Sequence, residues 1–209
     1  MTITCGEATI RLLKKYGVNT VFGIPGVHTL DLCRGLYAGE NFGEIQHVQA
    51  RNEQGAGFMA EGWARATGEV GVAIVISGPG VTNASTALGQ CYADSLPMLL
   101  ISAEPNTNSF GKGWGVLHEI TEQKKVTEPI TAFSATAQKP SDIPDFFAKA
   151  FSIFKSQRPR PVHISIPLDV QSQPVVEEWL PVGEIERPSP KQNLIIKAAE
   201  MLKSAKKPF

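Results

Sequence analysis

One segment constrains the fold more than any other: an unbroken apolar run that ends in a glycine-proline turn. Residues 71–77 read Gly-Val-Ala-Ile-Val-Ile-Ser, and residues 78–80 read Gly-Pro-Gly. A run of apolar and β-branched residues of this length is typical of a strand that is buried on both faces of a sheet. Helical spacing follows at Val81, Ala84, Leu88 and Cys91. The segment therefore predicts a strand, a tight turn and a helix, which is the repeating unit of α/β folds.

The same alternation extends along most of the chain. Further strands are predicted at residues 20–23, 45–50, 97–103, 130–137 and 161–167. Apolar residues at helical spacing predict helices at residues 5–16 and 29–36, from residue 53 onward, and at 143–154. Together these elements predict a doubly wound, mostly parallel sheet with helices on both faces. The glycine fingerprint of dinucleotide-binding domains is missing, because the turn at 78–80 has no third glycine after it.

The pattern divides the chain into three parts. Residues 1–170 form the predicted α/β domain, and the proline-rich residues 171–189 are interpreted as a linker. Residues 189–192, Ser-Pro-Lys-Gln, predict a capping box with proline at the first helical position. The helix that follows has an apolar face but no partner of its own. Residues 190–209 are therefore interpreted as the start of a truncated central domain in a longer protein.

Composition excludes several classes of protein. Lysine plus arginine (20) balance aspartate plus glutamate (20), so no basic excess points to nucleic acid. No apolar stretch approaches the length of a membrane span. The three cysteines are far apart and form no paired motif, which argues against a disulfide framework or a zinc site and favours a cytoplasmic location.

Glu53 is the strongest candidate for chemistry. A predicted strand at 45–50 runs into it, and a helix rich in glycine and alanine follows. Ligands of open α/β sheets bind at the carboxyl ends of the strands, where this carboxylate is predicted to lie. The alternative is a purely structural role, in which Glu53 stabilises the helix N-terminus by about 0.3–1 kcal/mol. Two further turns, at residues 23–28 and 78–83, are predicted to lie at the same edge.

Together the three turns resemble the pyrimidine-binding domain of thiamin-diphosphate enzymes of the acetolactate synthase, benzoylformate decarboxylase and pyruvate decarboxylase group. The resemblance extends over residues 5–170 and includes Ala-Asp-Ser-Leu-Pro at 93–97 and His-Glu-Ile at 118–120. The turn Gly-Val-His-Thr at 26–29 is most similar to that of 5-guanidino-2-oxopentanoate decarboxylases. Asn52 departs from the histidine that relatives often carry, and Glu61 from their aspartate, which leaves open whether this copy is fully active.

The resemblance implies roles for individual residues. Glu53 would activate the cofactor by sharing a proton with nitrogen N1′ of its aminopyrimidine ring. The residues implied in cofactor binding are Glu53, Pro25, Gly26, Gly78, Pro79, Gly80, Asn83 and Gln90. His28 and His118 are implied as substrate contacts, each with a surface role as the alternative. Trp63 and Trp114 are interpreted as core or interface aromatics without a chemical role.

The resemblance also implies partners outside this sequence. Family members hold the cofactor diphosphate through Mg²⁺ with a Gly-Asp-Gly segment, which does not occur in these 209 residues, so no metal ligand is expected in this segment. The site would be shared between subunits of a homo-oligomer, at least a dimer and either a homodimer or a tetramer. The glycine-rich helix from Glu53 is the expected dimer contact, and binding of FAD stays open.

The implied function is that of an acetolactate synthase-like transferase or decarboxylase acting on a 2-oxo acid, with or without carboligation. One alternative is a 5-guanidino-2-oxopentanoate-type decarboxylase without ligation, in which Glu104 or Glu119 would face the guanidinium group. Another is a non-catalytic α/β nucleotide-binding module, and a third is a scaffold that has lost its chemistry. The 209-residue piece alone is expected to bind the cofactor weakly and to be inactive.

Overall fold

A parallel six-stranded sheet forms the centre of the protein. The computed structural model describes residues 2–37, 44–183 and 186–208. Two short strands, β1 (Ile3–Thr4) and β8 (Pro174–Val175), pair antiparallel to each other. The sheet strands are β2 (Thr20–Gly23), β3 (Gln46–Gln49), β4 (Gly71–Val75), β5 (Met98–Glu104), β6 (Phe133–Thr136) and β7 (Val162–Pro167). They lie in the order β3-β2-β4-β5-β7-β6, and every pairing among them is parallel.

Helices cover both faces of this sheet. One face packs against α1 (Cys5–Lys15), α2 (Leu30–Tyr37) and α6 (Asp142–Ser156). The other packs against α3 (Glu53–Thr67), α4 (Pro79–Asp94) and α5 (Gln123–Thr127). The chain also contains α7 (Leu168–Gln171) and α8 (Gln192–Ser204). The predicted doubly wound α/β fold is confirmed, and each face of the sheet has its own apolar core.

Small residues bring α3 and α4 close together. A Cβ atom on Gly57 of α3 would lie 2.7 Å from the Cβ atom of Ala87 on α4. Ala56, Ala60, Ala84 and Ala87 are buried between these helices and the sheet. Because both helices begin at the carboxyl edge of the sheet, this close packing also sets the spacing between the side chains of their first turns.

Several predicted boundaries differ from the structure. The strand predicted at 130–137 begins only at Phe133, because residues 128–130 form a 3₁₀ turn that contains Pro129. The strand predicted at 71–77 ends at Val75, and residues 27–29 form a 3₁₀ turn before α2. The β1–β8 pair was not predicted, and β8 lies in the segment interpreted as a linker. A capping box formed by Thr4 and Glu7 starts α1.

The capping box predicted at residues 189–192 is wrong. Lys191 is the residue before the first turn of α8, its backbone is extended (φ −63°, ψ 137°), and no side chain caps the helix. An extended Lys191 takes the hydroxyl of Ser189 out of reach of the first helical N–H groups. Within the described residues, α8 buries none of its side chains. The domain boundaries stay a prediction, and residues 1, 38–43, 184, 185 and 209 of the predicted segments lie outside the described residues.

In the described part of the chain, no helix combines the length and apolar character that crossing a bilayer requires.

Candidate active site

The three turns singled out in the sequence lie side by side at the carboxyl edge of the sheet. His28 follows β2, Glu53 follows β3, and Gly78 follows β4. These strands are neighbours in the order β3-β2-β4. The chain moves from β2 outward to β3 and then returns to the other side of β2 to form β4. This reversal is the topological switch point, where open α/β sheets form ligand crevices.

Glu53 is held at the start of α3 and is paired with α4. Asn52 caps the helix, as its side-chain oxygen accepts a hydrogen bond of 2.8 Å from the N–H of Gln54. The Glu53 carboxylate accepts a hydrogen bond of 2.9 Å from the side-chain amide of Asn83. The structure therefore brings together two predicted site residues that are 30 positions apart. Glu53 is only half-buried, so this chain alone does not provide the dry pocket that its predicted role requires.

The turn after β4 depends on glycine at position 78. Gly78 has φ +54° and ψ −105°, a conformation that side chains disfavour. A Cβ atom there would lie 2.3 Å from the carbonyl oxygen of His118. Pro79 takes the first position of α4 and is exposed, whereas Gly80 is buried against Ile76. The backbone of this turn is thus packed against His118 and Ile76 and is exposed to solvent at Pro79.

The turn after β2 approaches the same region. A Cβ atom on Gly26 would lie 2.6 Å from the side chain of Ile76, so the two turns touch. The N–H of Gly26 donates to the hydroxyl of Thr29 over 3.1 Å, which fixes the 3₁₀ turn at residues 27–29. Pro25, in the same turn at the carboxyl edge of the sheet, is exposed to solvent.

His28 and His118 form a pair behind these turns. His28 is 5% exposed, its Nδ1 lies 2.8 Å from the hydroxyl of Ser77, and its ring meets that of His118 edge to face at 5.4 Å. Burial lowers the pKa of His28, and His118 lowers it further. Within the described residues, the Nδ1 atom of His118 is buried without a hydrogen-bond partner. An unpaired buried polar atom at this edge is consistent with a ligand that completes it. A surface role for His28 is excluded by its burial.

Other predicted residues lie apart from this group. Gln90 donates a hydrogen bond of 2.9 Å to Asp94. It lies eleven residues after Pro79 in α4, which places it about 16 Å from the carboxyl edge of the sheet at the helical rise per residue. Trp63 packs against Phe22, and Trp114 is exposed. Trp63 therefore packs as a core aromatic, whereas an interface role for Trp114 stays a prediction.

The two acidic candidates for a cationic substrate differ in their surroundings. Glu104 ends β5, is 9% exposed and lines a cavity of about 220 Å³, while its carboxylate accepts a hydrogen bond of 3.0 Å from Thr136. Burial raises the pKa of Glu104, although the hydrogen bond from Thr136 and the charge of Lys124, which lines the same cavity, act to lower it. Among the described residues, no basic side chain forms an ion pair with it. Glu119 also lines the cavity, but its carboxylate accepts the N–H groups of Gly115 and Val116 and so stabilises the loop.

Sequence reasoning missed the polar residues beneath the turns. Ser77, Gln123 and Gln171 are buried and hydrogen-bonded to the turn residues or their neighbours. Ser77 ends the predicted strand and was assigned no role. Gln123 lies in the polar stretch Thr-Glu-Gln-Lys-Lys at 121–125, whose composition resembles that of an exposed segment. No feature of the sequence signals that this glutamine is buried.

Among residues 2–37, 44–183 and 186–208, no group of three or more histidine, cysteine, aspartate or glutamate side chains is placed to hold a metal ion.

Comparison with known proteins defines the class. Residues 3–126 match the model of the N-terminal TPP binding domain of thiamine pyrophosphate enzymes, thiamine pyrophosphate being thiamin diphosphate. The chain belongs to this family of enzymes, as the resemblance of its three turns predicted.

The chain is also similar to individual enzymes of known or probable activity. The chain is 54% identical over its whole length to the probable 2-ketoarginine decarboxylase AruI of Pseudomonas aeruginosa, of which it covers 37%. It is 37% identical to an acetolactate synthase of Arthrospira platensis, with 99% of this chain and 36% of that protein covered. It is 40% identical to the acetolactate synthase isozyme 3 large subunit of Escherichia coli, with 78% of this chain and 28% of that protein covered. The chain thus spans about a third of the length of these relatives.

Proposed function

We propose that this chain supplies the pyrimidine-binding half of a thiamin-diphosphate site in a cytoplasmic enzyme that decarboxylates a 2-oxo acid. The pairing of Glu53 with Asn83 at the switch point carries the proposal. A carboxylate held by an amide at the start of a helix, next to two glycine turns, has the geometry that would orient a heteroaromatic ring. A dinucleotide site is disfavoured because the turn after β4 lacks the required glycines.

The residues at this edge fit the cofactor. Pro79 is exposed and Glu53 is half-buried, which leaves space for a ligand on the solvent side of the turns. Because Gly78 has no side chain, the loop that carries His118 can pack against the other side of its turn. When bound, the cofactor supplies the electron sink that decarboxylation of a 2-oxo acid requires. Glu53 would hold a proton at ring nitrogen N1′, and Asn83 would keep the carboxyl group pointed at that atom. Pro25, Gly26 and Gly80 would border the ring, and His28 and His118 would line the substrate end.

The half-exposed Glu53 supports a site that is completed by a second subunit. Desolvation would let its carboxyl group hold a proton more readily than it does in water. The outer face of α3 is the proposed contact, since Gly55, Phe58, Met59 and Gly62 follow one another at helical spacing. Phe58 and Met59 are exposed, and the two glycines have open space beside them. The Mg²⁺ ligands would come from outside this segment.

The name of the relative AruI favours 2-ketoarginine, which is 5-guanidino-2-oxopentanoate, as the substrate. Glu104 is buried and forms no ion pair among the described residues, and its carboxylate supports recognition of a cationic group at the cavity that it lines together with Lys124. The alternative is acetolactate synthase-like ligation, which the names of several relatives favour. The two differ in the fate of the acyl unit, which is released in one case and transferred to a second carbonyl in the other.

Ligand titration of the full-length protein tests the proposal. Thiamin diphosphate with Mg²⁺ is added in one series, and NAD(H) or ATP in the others, while tryptophan fluorescence is followed. We expect saturable binding of thiamin diphosphate only, followed by CO₂ release from 5-guanidino-2-oxopentanoate in preference to pyruvate. The 209-residue chain alone is the control and is expected to bind weakly without turnover. Binding of NAD(H) or ATP without thiamin diphosphate would contradict the proposal.

A further inference from the structure

A single buried glutamine side chain joins the turn at residues 78–80, called the cofactor turn below, to the rest of the sheet. Gln123, at the start of α5, is 2% exposed. Its Oε1 atom accepts a hydrogen bond of 2.7 Å from the backbone N–H of Gly78. Its Nε2 atom lies 2.7 Å from the carbonyl oxygen of Ala103 and 3.0 and 2.9 Å from the hydroxyls of Ser102 and Ser165, so its two hydrogens are shared among three acceptors.

The chemistry of these partners fixes the orientation of the amide. The N–H of Gly78 can only donate and the carbonyl of Ala103 can only accept, so the two ends of the Gln123 amide cannot be exchanged. The position requires one acceptor and one donor on a side chain of this length. Losing the acceptor takes away the partner that the structure gives the buried N–H of Gly78, which is more costly than losing an exposed hydrogen bond. Losing the donor removes the contact that links this turn to the carbonyl of Ala103.

The hydrogen bond between Gln123 and Gly78 is linked to the proposed site in two ways. Gly78 precedes the first turn of α4, and its carbonyl accepts the N–H groups of Val81 and Thr82. The same helix carries Asn83, the partner of Glu53. Gln123 also follows the loop that bears His118, whose carbonyl packs against Gly78. The side chain therefore ties the cofactor turn and the His118 loop to β5 and β7.

We propose that Gln123 is a positioning residue for the cofactor turn. Its side-chain amide holds the backbone of Gly78 in the position that binding of thiamin diphosphate requires. Among the described residues it forms no hydrogen bond with Glu53 or Asn83, and it acts on the site through the backbone of Gly78. The inference depends on the proposed function, because the turn is assigned to the cofactor there. It adds a residue that none of the three turns contains.

Two substitutions in the full-length protein test this role. Gln123→Met preserves the length of the side chain and removes both the acceptor and the donor, so the dissociation constant of thiamin diphosphate should rise about 10- to 100-fold. Gln123→Glu retains both functions only while the new carboxyl group is protonated, since its O–H can then donate to Ala103. Burial favours that neutral form. We expect near wild-type affinity at mildly acidic pH and an affinity close to that of Gln123→Met at mildly alkaline pH.

Ser134→Ala is the matched control. Ser134 contacts Thr127 and His163 in the same buried network but not Gln123 or Gly78. We expect its melting temperature to fall slightly while its cofactor affinity stays unchanged. Tryptophan fluorescence at saturating Mg²⁺ reports the dissociation constant, and a thermal melt at each pH reports folding.

The outcomes separate the two proposals. Failure of the wild-type protein to bind thiamin diphosphate would contradict the proposed function. Normal binding by the wild type together with unchanged affinity in Gln123→Met would overturn the role of Gln123 alone. A weakened Gln123→Glu variant whose affinity does not depend on pH would overturn it as well, because general disruption of the core would then explain the loss. If Gln123→Met does not fold, the pH profile of Gln123→Glu decides.

Discussion

The carbonyl oxygen of His118 lies 2.3 Å from the position that a Cβ atom on Gly78 would occupy. Forty residues separate the two along the chain, yet the loop that carries His118 rests directly on the turn that begins α4. Any side chain at position 78 must displace a backbone carbonyl, which cannot rotate away as a flexible side chain can. This contact couples the proposed substrate end of the site to its proposed cofactor end.

Gly78→Ala should therefore destabilise the protein and weaken the site together. Alanine disfavours the positive φ of this position, and its methyl group would also clash with the carbonyl of His118. We therefore expect the free energy of unfolding to fall by at least about 1–3 kcal/mol. Gly68→Ala is the control, because Gly68 also has a positive φ (+75°) but open space where a Cβ would lie. Urea denaturation measures both. Equal losses in the two variants would show that the contact with His118 contributes nothing.

Gly62→Ala should have opposite effects on folding and on assembly. Open space surrounds Gly62 on the outer face of α3, so alanine should stabilise the helix by about 0.5–1 kcal/mol. The same methyl group would intrude on the proposed dimer contact and raise the dissociation constant of the oligomer. Denaturation of the 209-residue chain and sedimentation of the full-length protein measure the two effects. Stabilisation with unchanged assembly would place the dimer contact elsewhere.

His163 should make stability depend on pH. Burial lowers the pKa of this fully buried histidine to about 3, from an ordinary value of 6.5. The unfolded chain binds a proton as the pH falls below 6.5, while the native state does not, so this contribution to stability is present above that pH and declines between about 6.5 and about 3. His163→Gln removes the contribution. Its free energy of unfolding should fall less steeply with decreasing pH, by up to about 1.4 kcal/mol per pH unit. Parallel curves for the two proteins would show that His163 titrates normally.

The elements of the fold were predictable where hydrophobic pattern and turn residues agree. The β-branched run before Gly78 and the amphipathic α6 needed no tertiary information, and the order of strands and helices then implied a parallel sheet. The starts of β6 and α8 were predicted too early, because a 3₁₀ turn that contains Pro129 precedes β6 and the extended backbone of Lys191 delays α8 to Gln192. Two-residue strands such as β1 carry too little pattern to be recognised.

The site was predictable as far as backbone turns define it. Glu53, Gly78 and Gly26 precede or form turns at strand ends, so sequence alone places them at one edge. Asn83 was predicted from the family pattern, and the structure adds its hydrogen bond to Glu53. The burial of Gln123 was not predictable, since it depends on a loop folding over the sheet from outside the repeating pattern.

Glu104→Gln tests recognition of a cationic substrate in the full-length enzyme. The substitution preserves shape and removes the negative charge, so KM for 5-guanidino-2-oxopentanoate should rise about tenfold, as expected for loss of a charge-assisted contact. KM for a neutral 2-oxo acid of similar length should not change. Glu119→Gln is the comparison, because the Glu119 carboxylate accepts loop N–H groups instead. Equal KM changes for both substrates would contradict a role for Glu104 in charge recognition.

The most direct test of the account measures proton exchange at the C2 atom of bound thiamin diphosphate in the full-length protein. Glu53→Gln keeps the size and the hydrogen-bonding reach of the side chain but cannot exchange a proton with N1′ of the ring. Asn52→Ala, which removes only the helix cap, is the control and should exchange at close to the wild-type rate. We predict that exchange in Glu53→Gln slows by orders of magnitude, about 10²- to 10⁴-fold. An unchanged exchange rate in Glu53→Gln, with the cofactor still bound, would contradict the account.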